Sequence, residues 1–236
     1  MSQTSLPIKN LILAGLPHKE YARLLPDLES VPLPPGEKLY KSGDAIEYVY
    51  FPGEGLVSLV THMKDGTTVE VGLIGRDGMV GIPVLLGDDI AFEAAVVQVA
   101  GTALRMPSAA FKEVIKGARS PLLTRLLLYT RVLMKQVAQT AACNGRHAAE
   151  KRLARWLLMT ADRAGTNELP LTHEFISYMV GGPRSAVTEA AAELREAGAI
   201  DYRRALIEVR DRAKLRAHAC ECYDALQPDG QEAVVA

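Results

Sequence analysis

The stretch Leu171–Ile200, LTHEFISYMVGGPRSAVTEAAAELREAGAI, constrains the fold more than any other part of this 236-residue chain. Leu171, Phe175 and Ile176 share one face of a short helix, Gly181 and Gly182 interrupt it, and a second apolar series follows at Val187, Ala191 and Leu194. Two helices must therefore pack across a tight turn. Thr172 is a start signal for the first, and Pro183 suits the first position of the second. Ala197-Gly198-Ala199-Ile200 ends the second helix, and Tyr202 to Val209 then alternates as a small β-hairpin does. Two helices and a hairpin in that order outline a winged helix.

The second helix would expose Arg184, Ser185, Thr188 and Glu189 in its first two turns, the part of a recognition helix that enters the major groove of duplex DNA. Arg184 is the candidate for a bidentate contact to guanine. Arg203 and Arg204, at the hairpin, could grip phosphate oxygens without reading sequence. The competing readings are an ordinary helical hairpin with a solvated outer face, or a ligand- or redox-sensing module whose winged helix binds protein.

Charge neither announces nor forbids a polyanion. With 27 basic and 28 acidic residues the formal net charge is -1, so affinity for DNA would come from local cations such as Arg184, Arg203 and Arg204. A hydrophobic content of 48% supports cores for two modest domains. The apolar run Leu11 to Leu16 is too short to span a membrane. Cys143, Cys220 and Cys222 are too few and too scattered for a disulfide framework, which fits a reducing compartment, and a cytoplasmic location is expected.

Before the two-helix motif the pattern changes twice. After a short helical lead through about Leu28, turn signals recur at Pro35-Gly36, Ser42-Gly43-Asp44, Pro52-Gly53, Asp65-Gly66, Gly75 to Gly78, Gly87-Asp88 and Gly101. Between them lie β-prone runs such as Tyr48 to Phe51, Leu56 to Thr61, Val69 to Ile74 and Ala94 to Val99, the pattern of an all-β barrel or jelly roll. Ala109 to Lys116 could form a short helix, and Pro121 opens a long one expected to reach about Cys143. Leu122, Leu126, Tyr129, Leu133, Gln136 and Thr140 step by fours and threes down it, as do Leu123, Leu127, Thr130, Met134, Val137 and Ala141. A helix apolar on two faces needs two partners: one face can cover the barrel and the other can pair with a second subunit. The first series is taken as the dimer seam; the alternative is a single helix buried between two domains of a monomer, and Gln136 and Thr140 fit either case. A break is expected near Asn144-Gly145, followed by a helix from His147 to Ala164 with Leu153, Trp156, Leu157 and Thr160 on one side and Arg152 and Arg155 on a solvated or interdomain face. The expected fold is thus α+β: a sensor-like β-barrel (1–120), a dimerisation helix (121–143), a winged helix-turn-helix (144–227) and a disordered tail (228–236).

Barrel, long helix and winged helix in that order resemble the Crp/Fnr family of bacterial transcription regulators over about residues 10 to 225. Leu171–Ile200 carries the strongest match, and Glu150-Lys151-Arg152-Leu153-Ala154-Arg155-Trp156-Leu157-Leu158-Met159 looks like the first helix of that family's DNA-binding domain. The resemblance implies a homodimer on a two-fold symmetric DNA site, with RNA polymerase as a further partner and a place for an effector in the barrel. The family's guanine-reading arginine falls on Arg184, and its phosphate contacts at the start of the first helix fall on Thr172 and His173. Ser185 and Glu189 depart from the cyclic-AMP receptor branch, which has an acidic residue and a second arginine there. Glutamate accepts from cytosine and cannot donate to guanine, so the half-site should differ.

The effector pocket departs further. Members that bind cyclic AMP hold the ribose with Gly-Glu and the phosphate with Arg-Ser; this chain has Gly81-Ile82 and about Ala91-Phe92 in those places, and no lysine or arginine between Asp77 and Leu104. A buried phosphate there would lack a counter-charge, at a cost of roughly several kcal/mol. The positions that contact adenine fall near Val137 and Ala138, whose side chains cannot hydrogen-bond. Cyclic AMP binding by that mode is therefore not expected. No cofactor is expected: an iron-sulfur cluster normally takes four thiolates, and His62 is a lone candidate for haem. Cys220-Glu221-Cys222 could bind a soft metal or respond to oxidation with Cys143, but residues two apart on a C-terminal helix would face different ways, and unreactive thiols are the expectation. A cupin-type enzyme would share the barrel, but one histidine between Val31 and Pro107 does not supply its metal site, and no enzymatic activity is expected.

Overall fold

In the computed structural model, which describes residues 8–116, 120–203 and 205–227, α1 (Leu11–Ala14) and α2 (His18–Leu24) lead into β1 (Glu29–Leu33), β2 (Lys38–Tyr40), β3 (Tyr48–His62) and β4 (Thr68–Ile74). There follow α3 (Ile82–Leu85), β5 (Ala94–Pro107), α4 (Ser108–Ile115) and the long α5 (Pro121–Arg146). The chain continues through α6 (Ala149–Ala164), β6 (Glu168–Leu169), α7 (His173–Val180), α8 (Arg184–Glu196), β7 (Ile200–Arg203), β8 (Leu206–Val209) and α9 (Arg212–His218). The expected tail, 228–236, lies outside the described residues.

The first sheet runs in the order β1-β5-β3-β4, with β2 also on β5. Asn10 ties the helical lead to β3 and to the turn after β4. Its side-chain oxygen caps α1 through the Ile12 and Leu13 amides, while Nδ2 donates to the Pro52 and Gly78 carbonyls at 2.9 Å each. Both ends of this buried amide are thus satisfied.

Two of the turn signals are not turns. Pro52-Gly53 lies inside β3 and Gly101 inside β5. The glycines serve close approach: a Cβ on Gly101 would stand 2.1 Å from the Glu54 carbonyl oxygen, and one on Gly55 only 2.5 Å from that of Val99. Two backbones cannot pass so closely with side chains between them.

The molecule divides into two compact units, and the division cuts α5. One takes the chain up to Val57 together with Ile74–Val132; the other takes Ser58–Leu73 and the chain from Leu133. This differs from the segments 1–120, 121–143 and 144–227 expected from the sequence, because packing rather than chain order groups the tip of the β3–β4 hairpin with the C-terminal helices.

The break expected near Asn144-Gly145 falls at His147-Ala148 instead. α5 continues to Arg146, and the His147 amide still bonds the Cys143 carbonyl at 3.0 Å. Glycine costs a helix only about 1 kcal/mol, too little for Gly145 alone to end it. The faces of α5 are also exchanged relative to expectation. Leu122, Leu126, Tyr129, Leu133, Gln136 and Thr140, read as the dimer seam, are all buried within the single chain, none more than 8% exposed. Leu133 packs over Gly72, and Gln136 donates to the Leu73 carbonyl at 3.3 Å. The large apolar side chains that α5 leaves exposed are Leu127, Met134 and Val137, from the second series.

Candidate nucleic-acid interface

Within the second unit, α6 is the hub against which α7, α8 and α9 pack. Leu153, Trp156 and Leu157 of α6 are buried, as are Ile176 and Val180 of α7, Val187 and Leu194 of α8 and Leu215 of α9. Leu171, Ile176, Val187, Ala191 and Leu194 of the expected apolar series are therefore in its core, while Phe175 is only half-buried.

Thr172 caps α7 by accepting from the Phe175 amide at 3.1 Å. Its hydroxyl hydrogen stays available to a phosphate oxygen, so capping and phosphate contact are compatible. The side chain of His173 lies outside the described residues. α7 stops at Gly181, whose φ of 64° is a left-handed conformation natural to glycine, and the Gly181 amide bonds the Ser177 carbonyl. Pro183 stands one position before α8 rather than in it, and its carbonyl accepts the first helical bond, from the Val187 amide.

Sequence reasoning misses the residue that braces this turn. Arg152, expected on a solvated or interdomain face, instead donates from Nη1 to the Gly181 carbonyl at 3.0 Å and to that of Asn144 at 3.2 Å. A single guanidinium nitrogen thereby ties the turn to the end of α5. Arg155 is likewise not solvated. It is 3% exposed, donating to Thr140 Oγ1 and Met159 Sδ at 3.4 Å each.

Arg184, Ser185, Thr188 and Glu189 all lie exposed on the first two turns of α8. Thr188 bonds back to the Arg184 carbonyl at 2.9 Å, which fixes its rotamer. The wing is the antiparallel hairpin β7–β8, with β6 on its other side. Arg203 is exposed at its tip, where it pairs with Asp201 at 3.2 Å; Arg210 reaches the same carboxylate at 3.5 Å. The Tyr202 amide, and after it the Arg203 and Arg195 charges, hold Asp201 below the usual carboxylate range. Arg203 therefore has to share its charge between Asp201 and any phosphate. Arg204 lies outside the described residues.

The same unit contains a buried acid. Glu70 of β4 accepts from Ser58 Oγ at 2.6 Å and from Trp156 Nε1 at 2.9 Å. Burial pushes its carboxyl up to about 7, against the pull of those two hydrogen bonds and of the Arg155 and Arg163 charges. Arg163 in turn donates to Gln136 Oε1 at 2.9 Å. No periodicity in the sequence marks Glu70 as internal.

In the β-rich unit, the places where a cyclic nucleotide would be held are apolar or acidic. Ile82 and Ala91 are buried, Phe92 is 70% exposed, and Glu93 is buried with Oε2 lacking a partner among the described residues. Burial pushes the Glu93 carboxyl up to about 7. His62 sits at the exposed end of β3, its Nδ1 2.9 Å from Thr68 Oγ1.

The cysteines are not where a helix would put them. α9 ends at His218, and Cys220-Glu221-Cys222 follows as an irregular turn. Both thiols therefore point the same way, toward Cys143 and His147 at the end of α5; the helical spacing of Cys143 and His147 is the only signal of this in the sequence.

Residues 30–117 match the cyclic nucleotide-binding domain and residues 151–218 the Crp-like helix-turn-helix domain. Among solved structures, TTHB099, a transcriptional regulator of the CRP family from Thermus thermophilus, is similar at 22% identity, with 80% of this chain and 96% of that one covered and a TM-score of 0.66. FixK2 from Bradyrhizobium japonicum is 18% identical over 82% of this chain and 98% of its own, with a TM-score of 0.69. The c-di-GMP responsive global regulator CLP from Xanthomonas campestris is 14% identical over 82% and 99%, with a TM-score of 0.67. At these identities the likeness is one of fold. No curated protein sequence matches.

Proposed function

Because the chain belongs to the Crp/Fnr family of transcription regulators, whose members are not enzymes, we propose that it acts in the cytoplasm as a homodimer on a palindromic DNA site, without cyclic AMP. The observation that carries this reading is the outward face of α8. Arg184 supplies the fork that matches the O6 and N7 edge of guanine, and Glu189, further along the same face, can only accept, which favours the N4 amino group of cytosine. Thr172 and Arg203 flank that helix as phosphate contacts, with His173 and Arg204 assigned to the same role from the sequence.

Dimerisation uses the exposed stripe of Leu127, Met134 and Val137 rather than the buried series. Apolar groups recurring along one face of a long helix are what a two-fold helical pair buries. RNA polymerase is a further partner of this reading, and an effector of the β-rich unit would have to be something other than a cyclic nucleotide held by an arginine.

The test is selection of bound sequences from random duplex DNA by the purified protein with nothing added. A palindrome with half-sites about one helical turn apart is the expected result. Arg184→Ala should then lose roughly 1 to 3 kcal/mol per half-site and relax one base position. Specific binding that survives this change intact would remove α8 as the reading head.

A further inference from the structure

We propose that Cys143, His147, Cys220 and Cys222 bind a single tetrahedral zinc ion. Their four ligand atoms all lie within 4.8 Å of one another. Cys143 Sγ is 3.5 Å from Cys220 Sγ, and Cys222 Sγ is 3.6 Å from His147 Nδ1. An ion with metal–sulfur distances of about 2.3 Å and a metal–nitrogen distance of about 2.0 Å sets tetrahedral edges of roughly 3.5 to 3.8 Å, so these separations already match such a site. A multi-iron cluster would hold its sulfurs further apart, with bridging sulfides and several irons between them. Three soft thiolates and one imidazole are a common structural zinc set.

The surroundings suit a metal as well as the ligands do. His147 Nε2 lies 3.2 Å from Glu221 Oε1, so that carboxylate can accept the Nε2 hydrogen bond and leave the Nδ1 lone pair facing the sulfurs, the arrangement that orients metal-bound histidines. Gln139 Nε2 donates to Cys222 Sγ at 2.9 Å, as an amide does to a thiolate. The three cysteines are almost wholly buried, none more than 4% exposed. Binding releases three thiol protons and leaves a site of net charge -1, with the Arg155 guanidinium near enough to Cys143 to act on its charge. The ion would join the end of α5 to the segment after α9, closing the DNA-binding unit upon itself as a disulfide would in an oxidising compartment.

Untagged full-length protein, reduced and stripped with chelator, should be titrated with Co²⁺ and then Zn²⁺. One Co²⁺ per chain is expected, with the intense visible bands of a tetrahedral site and near-ultraviolet thiolate-to-cobalt absorption, both bleached by one equivalent of Zn²⁺. Cys143→Ser combined with Cys220→Ser should abolish the bands. Glu221→Gln, at a side chain 78% exposed, should leave the fold intact, keep the bands and weaken affinity about 10- to 100-fold. A weak octahedral spectrum, bands unchanged in the double cysteine variant, or a Cys143–Cys220 disulfide in place of bound metal in protein purified without reductant would each overturn the assignment. None of these readouts depends on DNA binding.

Discussion

Glu70 shows how a single side chain can set the pH response of the DNA-binding unit. It holds its proton more tightly folded, at about 7, than in the unfolded chain at about 4.3. Its contribution to stability is therefore full below the unfolded value and fades as pH rises through about 7, by an amount on the order of 3 kcal/mol. Glu70→Gln keeps an acceptor for Trp156 and removes the titrating carboxyl. Denaturant midpoints measured from pH 4.5 to 8 should fall with pH in the parent and be flatter in the variant, with the variant gaining relative to the parent above pH 7. Parallel curves would mean that Glu70 is ionised throughout. Arg152 makes a related point through hydrogen bonds: the turn that presents α8 is held by a side chain from α6, outside the motif itself.

At the scale of an element, α5 carries two apolar series and uses them differently. Leu126 is completely buried, so Leu126→Ala should cost about 2 to 5 kcal/mol of unfolding free energy with the subunit stoichiometry unchanged. Met134 is 68% exposed; Met134→Glu should leave the chain folded and dissociate the proposed dimer, seen as a halved mass by sedimentation and a loss of affinity for the proposed palindrome. A dimer that withstands Met134→Glu would place the two-fold axis elsewhere. β3 and β5 make the complementary case for backbone. Gly101 reads as a turn residue in isolation, yet with Gly55 it permits two long strands to meet.

For the molecule as a whole, a formal charge of -1 means that its attraction to DNA is local, and control cannot rest on bulk electrostatics. The β-rich unit matches the cyclic nucleotide-binding domain, and at the positions that the family resemblance assigns to ribose and phosphate it has Ile82, Ala91 and Phe92, with the buried Glu93 beside them. Cyclic AMP at millimolar concentration should therefore change neither the melting temperature nor the affinity for the selected site. A saturable rise in melting temperature would show that a phosphate is accommodated by groups other than those considered.

The two helices, their glycine-rich turn and the β-hairpin were legible in the sequence because each rests on local rules: apolar spacing, the Thr172 cap and the turn at Gly181. So were Arg184, Ser185, Thr188 and Glu189, since the face opposite a buried helical stripe is exposed wherever the helix packs. Tertiary structure alone decided which side of α5 is internal, because two stripes of equal apolar character differ only in what lies against them. It also decided that Arg152 braces the turn, that Glu70 is buried, and that Cys143 and His147 meet Cys220 and Cys222 across more than seventy residues of chain. Such meetings are properties of packing, and periodicity along a chain carries no record of which distant segment fills the space beside it.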